Sequence, residues 1–230
     1  MTTMNNNQDS ANNNRTPSFN TLVNCFRRIN QAKSSDKKVY LQRYIEDWRK
    51  AGFGSFYPAM RLLVPHLDSE RAYDLKETRL AHAYIRAFSL TKSSPDAQRL
   101  VNWTRPKFTG KKRGPVQPVG DFASIAAEVI IVRSVVTKSK GLSIDYVNEN
   151  LRELSEASNF DESVKVIKGF LHNYTAEEQK WLIKIILKDL KIGLSEDSIL
   201  AIYHPDARNV FNRCNNLQKV TDELTDPHRR

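Results

Sequence analysis

Apolar residues recur at three- and four-residue spacing along most of this chain, a period that predicts amphipathic helices. Phe19, Leu22, Val23, Phe26 and Ile29 share one face of residues 19–32. Leu41, Tyr44, Ile45 and Trp48 do the same over residues 37–51, and Gly52 and Gly54 close that segment. "SFYPAMRLLVPHL" reads as a third helix, with Ser55 as its cap, Pro58 in its first turn and Pro65 at its end. "LKETRLAHAYIRAFSL" and the shorter "SPDAQRLVNW" follow. Beyond residue 120, "DFASIAAEVIIVRSVV" is apolar enough for a buried helix; its length and alanines favour helix over strand. "SIDYVNENLRELSEAS" starts at a Ser cap, and "DESVKVIKGFLHNY" comes next. "AEEQKWLIKIILKDLKIG" is strongly periodic and is predicted to run as helix through Leu190 and to break at Gly193. "SEDSILAIYH" and "VFNRCNNLQKVTDEL" finish the chain. No segment clearly alternates with period two, so the predicted fold is all-α.

Two stretches break the pattern. Residues 1–17 are rich in Asn with almost no large apolar side chains, and they read as a disordered tail before a folded region over 18–227. "TRPKFTGKKRGPVQPVG" holds three prolines and three glycines and reads as irregular. It also carries Arg105, Lys107, Lys111, Lys112 and Arg113, with no acid before Asp121. Two readings stand for it: a solvated insertion, or a segment that lies along phosphates.

The pattern also repeats. "YDLKETRLAHAY" (73–84) aligns without a gap on "IGLSEDSILAIY" (192–203). Leu75 falls on Leu194, Glu77 on Glu196, Leu80 on Ile199 and Tyr84 on Tyr203. The preceding helices align at the same offset, and two readings stand: a duplicated helical module, or a chance match between amphipathic helices.

Charge changes the picture more than apolar content does. A formal net charge of +10 over 230 residues favours an anionic partner, nucleic acid first and an anionic membrane second. No apolar run approaches the roughly 18 residues of a membrane span. The N-terminus lacks the basic and apolar regions of a secretory signal. Two cysteines, Cys25 and Cys214, support neither a disulfide framework nor a Cys-rich zinc site, in keeping with a reducing compartment. The five histidines show no metal-ligand spacing. There is no phosphate-binding glycine loop and no KxDG motif for nucleotidyl transfer; Lys188-Asp189 lacks the Gly. No catalytic residue is assigned.

Binding motifs remain. At Lys191–Ser195, Gly193 suits a left-handed helix end and Ser195 suits the cap of the next helix. The corner is either plain packing or an anion site made of helix N–H groups. Glu196 and Asp197 would compete with an anion there. Gly120-Asp121 ahead of "FASIAAEV" offers a second helix start, read as a simple Asp cap or as a close approach. Trp181 reads as core, and nothing in the spacing of Trp48, Trp103 and Trp181 indicates base stacking.

Three segments carry a resemblance. "SFYPAMRLLVPHLDSERAYDLKETRLAHAYI", "GDFASIAAEV" and "EEQKWLIKIILKDLKIGLSEDSILAIYHPDA" are similar to the N-terminal DNA-binding domain of eukaryotic ATP-dependent DNA ligases, nearest its end-joining branch. The resemblance spans residues 19 to 227 and thins over the tail and the loop 104–119. It implies an all-helical domain with an internal pseudo-two-fold repeat that grips nicked or broken duplex DNA through the minor groove, in the nucleus. By residue, it implies DNA contact at Lys191, Ile192, Gly193, Leu194 and Ser195, and at Gly120, Asp121, Phe122 and Ala123. The related corner Leu75–Thr78 adds Lys76 and Thr78. It also implies that a peptide of an Artemis-like nuclease binds near Tyr44 and Trp48, but Ala51 replaces an expected aromatic, and the alternative reading is that Tyr44 and Trp48 pack into the core. The nucleotidyltransferase, OB-fold and BRCT regions of the family are missing from these residues. ATP and magnesium are therefore expected only for a catalytic domain that is not here, and this polypeptide is expected to bind DNA without sealing it. The competing expectation is a helical module that docks protein partners, its basic surface incidental.

Overall fold

A computed structural model describes residues 16–104 and 121–226, and the periodic segments resolve into twelve helices among them. These are α1 (Phe19–Gln31), α2 (Lys37–Ala51), α3 (Tyr57–Leu63), α4 (Glu77–Ala87), α5 (Pro95–Val101) and α6 (Phe122–Arg133). Then come α7 (Ile144–Ser155), α8 (Phe160–Asn173), α9 (Ala176–Ile186), α10 (Glu196–Tyr203), α11 (Ala207–Cys214) and α12 (Leu217–Glu223). The one extended pairing among the described residues is an isolated bridge between Ser18 and Ser143. The all-α expectation holds.

Local chemistry explains most of the boundaries. Ser18, Ser94, Asp121, Asn159, Thr175, Ser195 and Asn216 each accept a backbone N–H from the first turn of their helix. Thr175 and Glu178 complete a reciprocal capping box. At α3, Phe56 rather than the expected Ser55 takes the cap position; the Ser55 hydroxyl, two residues ahead of the helix, accepts the Tyr57 N–H, and Pro58 occupies the first turn. Left-handed Asn215, at φ 47°, divides the last apolar stretch into α11 and α12.

Two boundaries differ from the sequence reading. Thr16 and Pro17 belong to the fold: Thr16 is buried, its hydroxyl accepts the Asp145 N–H at 3.0 Å, and the Pro17 carbonyl accepts the Ile144 N–H. Residues 1–15, the rest of the expected tail, lie outside the described residues, as does residue 227. The second difference is at α9, which ends at Ile186 rather than Leu190. Leu190 and Ile192, two residues apart, are both buried. A helix turns such a pair to opposite sides, so the chain leaves helix geometry to bury both. Lys188, at φ 56°, makes the break.

The described residues fall into two units. One is drawn from Met1–Asp68, Gly141–Glu149 and Lys191–Arg230, and holds α1–α3, the first turns of α7 and α10–α12. In it α1 packs on α2, α2 on α10, α10 on α11, α11 on α12 and α12 on α3. Its core is aromatic. Trp48 meets Phe56 edge-on at 5.1 Å, and Phe56 stacks on Tyr203 at 5.3 Å. Arg49 lies over the Tyr203 ring and donates to the Tyr203 carbonyl at 2.9 Å.

The other unit is drawn from Ser69–Lys140 and Asn150–Leu190. In it α6 packs on α9, α4 on α8 and α5, and α5 on α6. Buried Gln179 accepts the Tyr84 hydroxyl at 3.3 Å and donates to the Tyr174 carbonyl at 2.9 Å, so both ends of its amide are matched.

The repeat seen in the sequence extends to backbone conformation. Helices α3 and α9 start at aligned residues, as do α4 and α10. At the aligned corner positions Asp74 and Gly193 both take positive φ, 49° and 74°. Lys76 and Ser195 are both extended residues just ahead of a helix. Leu80 and Ile199, and Tyr84 and Tyr203, are buried in register. Equal spacing of apolar residues is common between amphipathic helices, whereas a shared left-handed residue is a more specific coincidence.

Candidate nucleic-acid interface

The corner between α9 and α10 is built against local preference. Over six residues the backbone is left-handed three times, at Lys188, Lys191 and Gly193. Only glycine adopts that conformation without penalty; each lysine costs about 1 kcal/mol there. Lys191, Gly193 and Ser195 are exposed, Leu194 is half-buried and Ile192 is buried at 2 % exposure. The Ile192 side chain is therefore an anchor, and it offers a ligand only its backbone.

Lys37, the first residue of α2, supports this corner. Its ammonium donates to the Ile192 carbonyl at 2.7 Å. A Cβ at residue 193 would lie 2.6 Å from the same nitrogen. Gly193 is thus favoured by its φ, and a side chain there would also push the lysine's flexible end off the Ile192 carbonyl. Sequence reasoning missed Lys37, since nothing in the local pattern of α2 links it to a residue 155 positions away.

Ser195 caps α10 by accepting the Ser198 N–H at 3.2 Å, and its hydroxyl meets the Ser198 hydroxyl at 2.9 Å. The acids expected to repel an anion are engaged sideways. Glu196 lies 3.5 Å from His66 Nδ1, and Asp197 lies 3.1 Å from Arg208 Nε. Asp197 thus has an arginine beside it and Glu196 an imidazole, while the exposed Lys191 and half-buried Lys37 belong to the corner that precedes the helix.

In the other unit, Asp121 caps α6 by accepting the Ser124 N–H at 2.7 Å, and it forms an ion pair with Lys184 of α9 at 2.5 Å. Burial alone would raise the Asp121 carboxyl above the usual range. The bonds from Lys184 and from Ser124 outweigh burial and hold it below that range. This carboxylate serves the fold, so its presence beside a phosphate-binding expectation is no conflict. Phe122 and Ala123, both 2 % exposed, point into the core, and Trp103 meets Phe122 edge-on at 6.0 Å. If this segment touches a ligand, it does so through its backbone. Gly120 lies outside the described residues, as do Arg105, Lys107, Lys111, Lys112 and Arg113.

At the related corner, Lys76 and Thr78 are exposed at the start of α4, and Leu75 is buried. Lys76 stands where Ser195 stands at the other corner but makes no capping bond. Here Asp74 pairs with Arg79 at 2.8 Å.

Of the two readings of Tyr44 and Trp48, the structure gives them the place of core residues. They are 7 % and 2 % exposed, and both rings meet Phe56. The Trp48 N–H is used by the Gly54 carbonyl at 3.2 Å. Their period-four spacing marked the core face of α2, the ordinary meaning of such spacing. Among the described residues no group of three or more His, Cys, Asp or Glu side chains could hold a metal ion, and no helix is long and apolar enough to cross a membrane.

Comparison with known proteins gives this geometry a context. The family model described as DNA ligase N terminus matches residues 18–204. DNA ligase 4 of Coprinopsis cinerea is 38 % identical over 218 residues, covering 94 % of this chain and 21 % of its own length. DNA ligase 4 of Phaeosphaeria nodorum is 41 % identical over 192 residues, covering 83 % and 19 %. DNA ligase 4 of Gallus gallus is 40 % identical over 224 residues, covering 91 % and 24 %. The chain spans between about a fifth and a quarter of the length of these curated relatives.

Proposed function

We propose that this chain, which belongs to the DNA ligase N-terminus family, binds duplex DNA without regard to sequence. The target is the sugar–phosphate edge of the minor groove at nicks and ends. The biological setting is the nucleus, where an ATP-dependent ligase of the ligase 4 type repairs double-strand breaks by non-homologous end joining. Sealing, with its ATP and magnesium, belongs in this reading to other parts of such a ligase.

The observation that carries the reading is the corner at Lys191–Ser195. It exposes a lysine, a glycine backbone and a capping serine; of its two acids, Asp197 pairs with Arg208 and Glu196 lies beside His66. Such a corner suits a phosphate, which needs N–H donors and a nearby cation and carries no sequence information. The net charge of +10 supports it from the sequence side.

Affinity for nicked and intact duplexes across a salt series tests the proposal. Contact with roughly six to ten phosphates gives a log–log slope of magnitude about 5 to 9. A flat response would reject a phosphate-directed clamp.

One observation favours a second reading, a face for protein partners. Ile131, Val132 and Val135 are 69 %, 80 % and 80 % exposed around the end of α6. Pull-down after nuclease treatment, with no retardation of DNA, would favour that reading over DNA binding.

A further inference from the structure

We infer that Lys37 is a positioning residue for the DNA-contacting corner, setting the backbone of Lys191–Ser195 from across the unit. This rests on the DNA-binding reading proposed above.

The local chemistry of α2 gives no reason for a lysine at its first position. The positive end of a helix dipole disfavours a cation there, and the first turn of α2 contains no acid. The preceding Asp36 makes no side-chain capping bond to offset this. No carboxylate pairs with Lys37 among the described residues. Its ammonium is spent on one distant group, the Ile192 carbonyl, at 2.7 Å.

That carbonyl lies in the most strained part of the corner. Ile192 sits between left-handed Lys191 at φ 49° and left-handed Gly193 at φ 74°. Such conformations persist only where the surroundings over-determine them. Two constraints do so here. The Ile192 side chain is buried, and its carbonyl is held by a charged donor, the stronger kind of hydrogen bond. The lysine also fills the space over Gly193 that any side chain would need. With the Ile192 peptide fixed in this way, Lys191, the Gly193 backbone and Ser195 remain directed outward. Because the lysine donates to a carbonyl rather than to a carboxylate, its positive charge also stays at the corner.

The test uses the full 230-residue chain and a nicked duplex of arbitrary sequence, with Lys37→Met, Lys37→Arg, Lys191→Gln and the double variant Lys37→Met/Lys191→Gln. Loss of a charged hydrogen bond that orders the site should weaken binding by about tenfold in Lys37→Met. Lys37→Arg keeps a donor and should recover most of the affinity. In the Lys191→Gln background, Lys37→Met should cost much less, because both act through one corner. A purely structural lysine would shift Tm and leave affinity well below Tm unchanged, which would overturn the inference. Equal losses in both backgrounds would overturn it too, since Lys37 would then act independently of Lys191. Should Lys37→Met fail to fold, Gly193→Ala displaces the same ammonium from the other side, and unchanged affinity there would be equally decisive. A wild-type chain with no affinity for the duplex would instead reject the DNA-binding reading itself.

Discussion

The carboxylate of Asp121, one residue ahead of α6, lies 2.5 Å from the ammonium of Lys184 near the end of α9. The two partners are unequally buried, with side chains 29 % and 8 % exposed. Removing one partner of a buried pair hurts most when the charge left behind has no other partner. Asp121→Ala leaves the buried ammonium without its carboxylate and removes a helix cap. It should cost about 3 kcal/mol in urea unfolding. Lys184→Met leaves a carboxylate that keeps the Ser124 N–H and some solvent, and should cost nearer 1 kcal/mol. Equal losses would mean that the pair is not the dominant partner of either group.

The same pair sets a pH dependence. The folded-state Asp121 carboxyl titrates below its ordinary value of 3.8. A depressed carboxylate contributes stability that is full above the ordinary value and is lost as pH falls through the folded one. The stability difference between the wild-type chain and Asp121→Asn should therefore be largest near neutrality and shrink below pH 3.8. Unfolding curves at pH 7 and at successive acid steps check this; a difference that stays constant would refute it.

Glycines at left-handed positions should not be equivalent. Gly141 and Gly193 have φ of 68° and 74°, but a Cβ at Gly141 would meet open space whereas one at Gly193 would meet Lys37. Gly141→Ala should cost about 1 kcal/mol for the backbone alone. Gly193→Ala should cost about 1 kcal/mol more, through loss of the hydrogen bond from Lys37 to Ile192. Thermal unfolding of the two variants side by side separates the contributions.

On the DNA-binding reading, Lys191→Glu should weaken binding to all duplex sequences alike and lower the magnitude of the salt slope by about 1 or more. Titration against two duplexes of unrelated sequence gives both quantities. A loss confined to one sequence would show base readout rather than phosphate contact.

Much of this architecture is legible in the amino-acid sequence. The three- and four-residue apolar period marked the helices, because a helix face must be buried to be stable in water. The repeat also declared itself in the alignment of residues 73–84 with 192–203. The end of α9 was misplaced by four residues, since Leu187-Lys188-Asp189-Leu190 continues a helical pattern that burial of both Leu190 and Ile192 interrupts. Tyr44 and Trp48 offered an aromatic pair in the sequence and became core in the fold, because a one-dimensional pattern does not say which aromatic face is covered.

The sequence by itself determined the helical class, the basic character, the duplicated corners and the glycine that one corner requires. These follow from period, charge and backbone sterics, which act locally or as sums. Only the tertiary structure decided which groups meet: Lys37 on the Ile192 carbonyl, Lys184 on Asp121, Arg208 on Asp197, and the His66 ring beside Glu196. Most of those pairings join residues far apart in the chain, and electrostatic partners are chosen by distance in space, which no local pattern encodes.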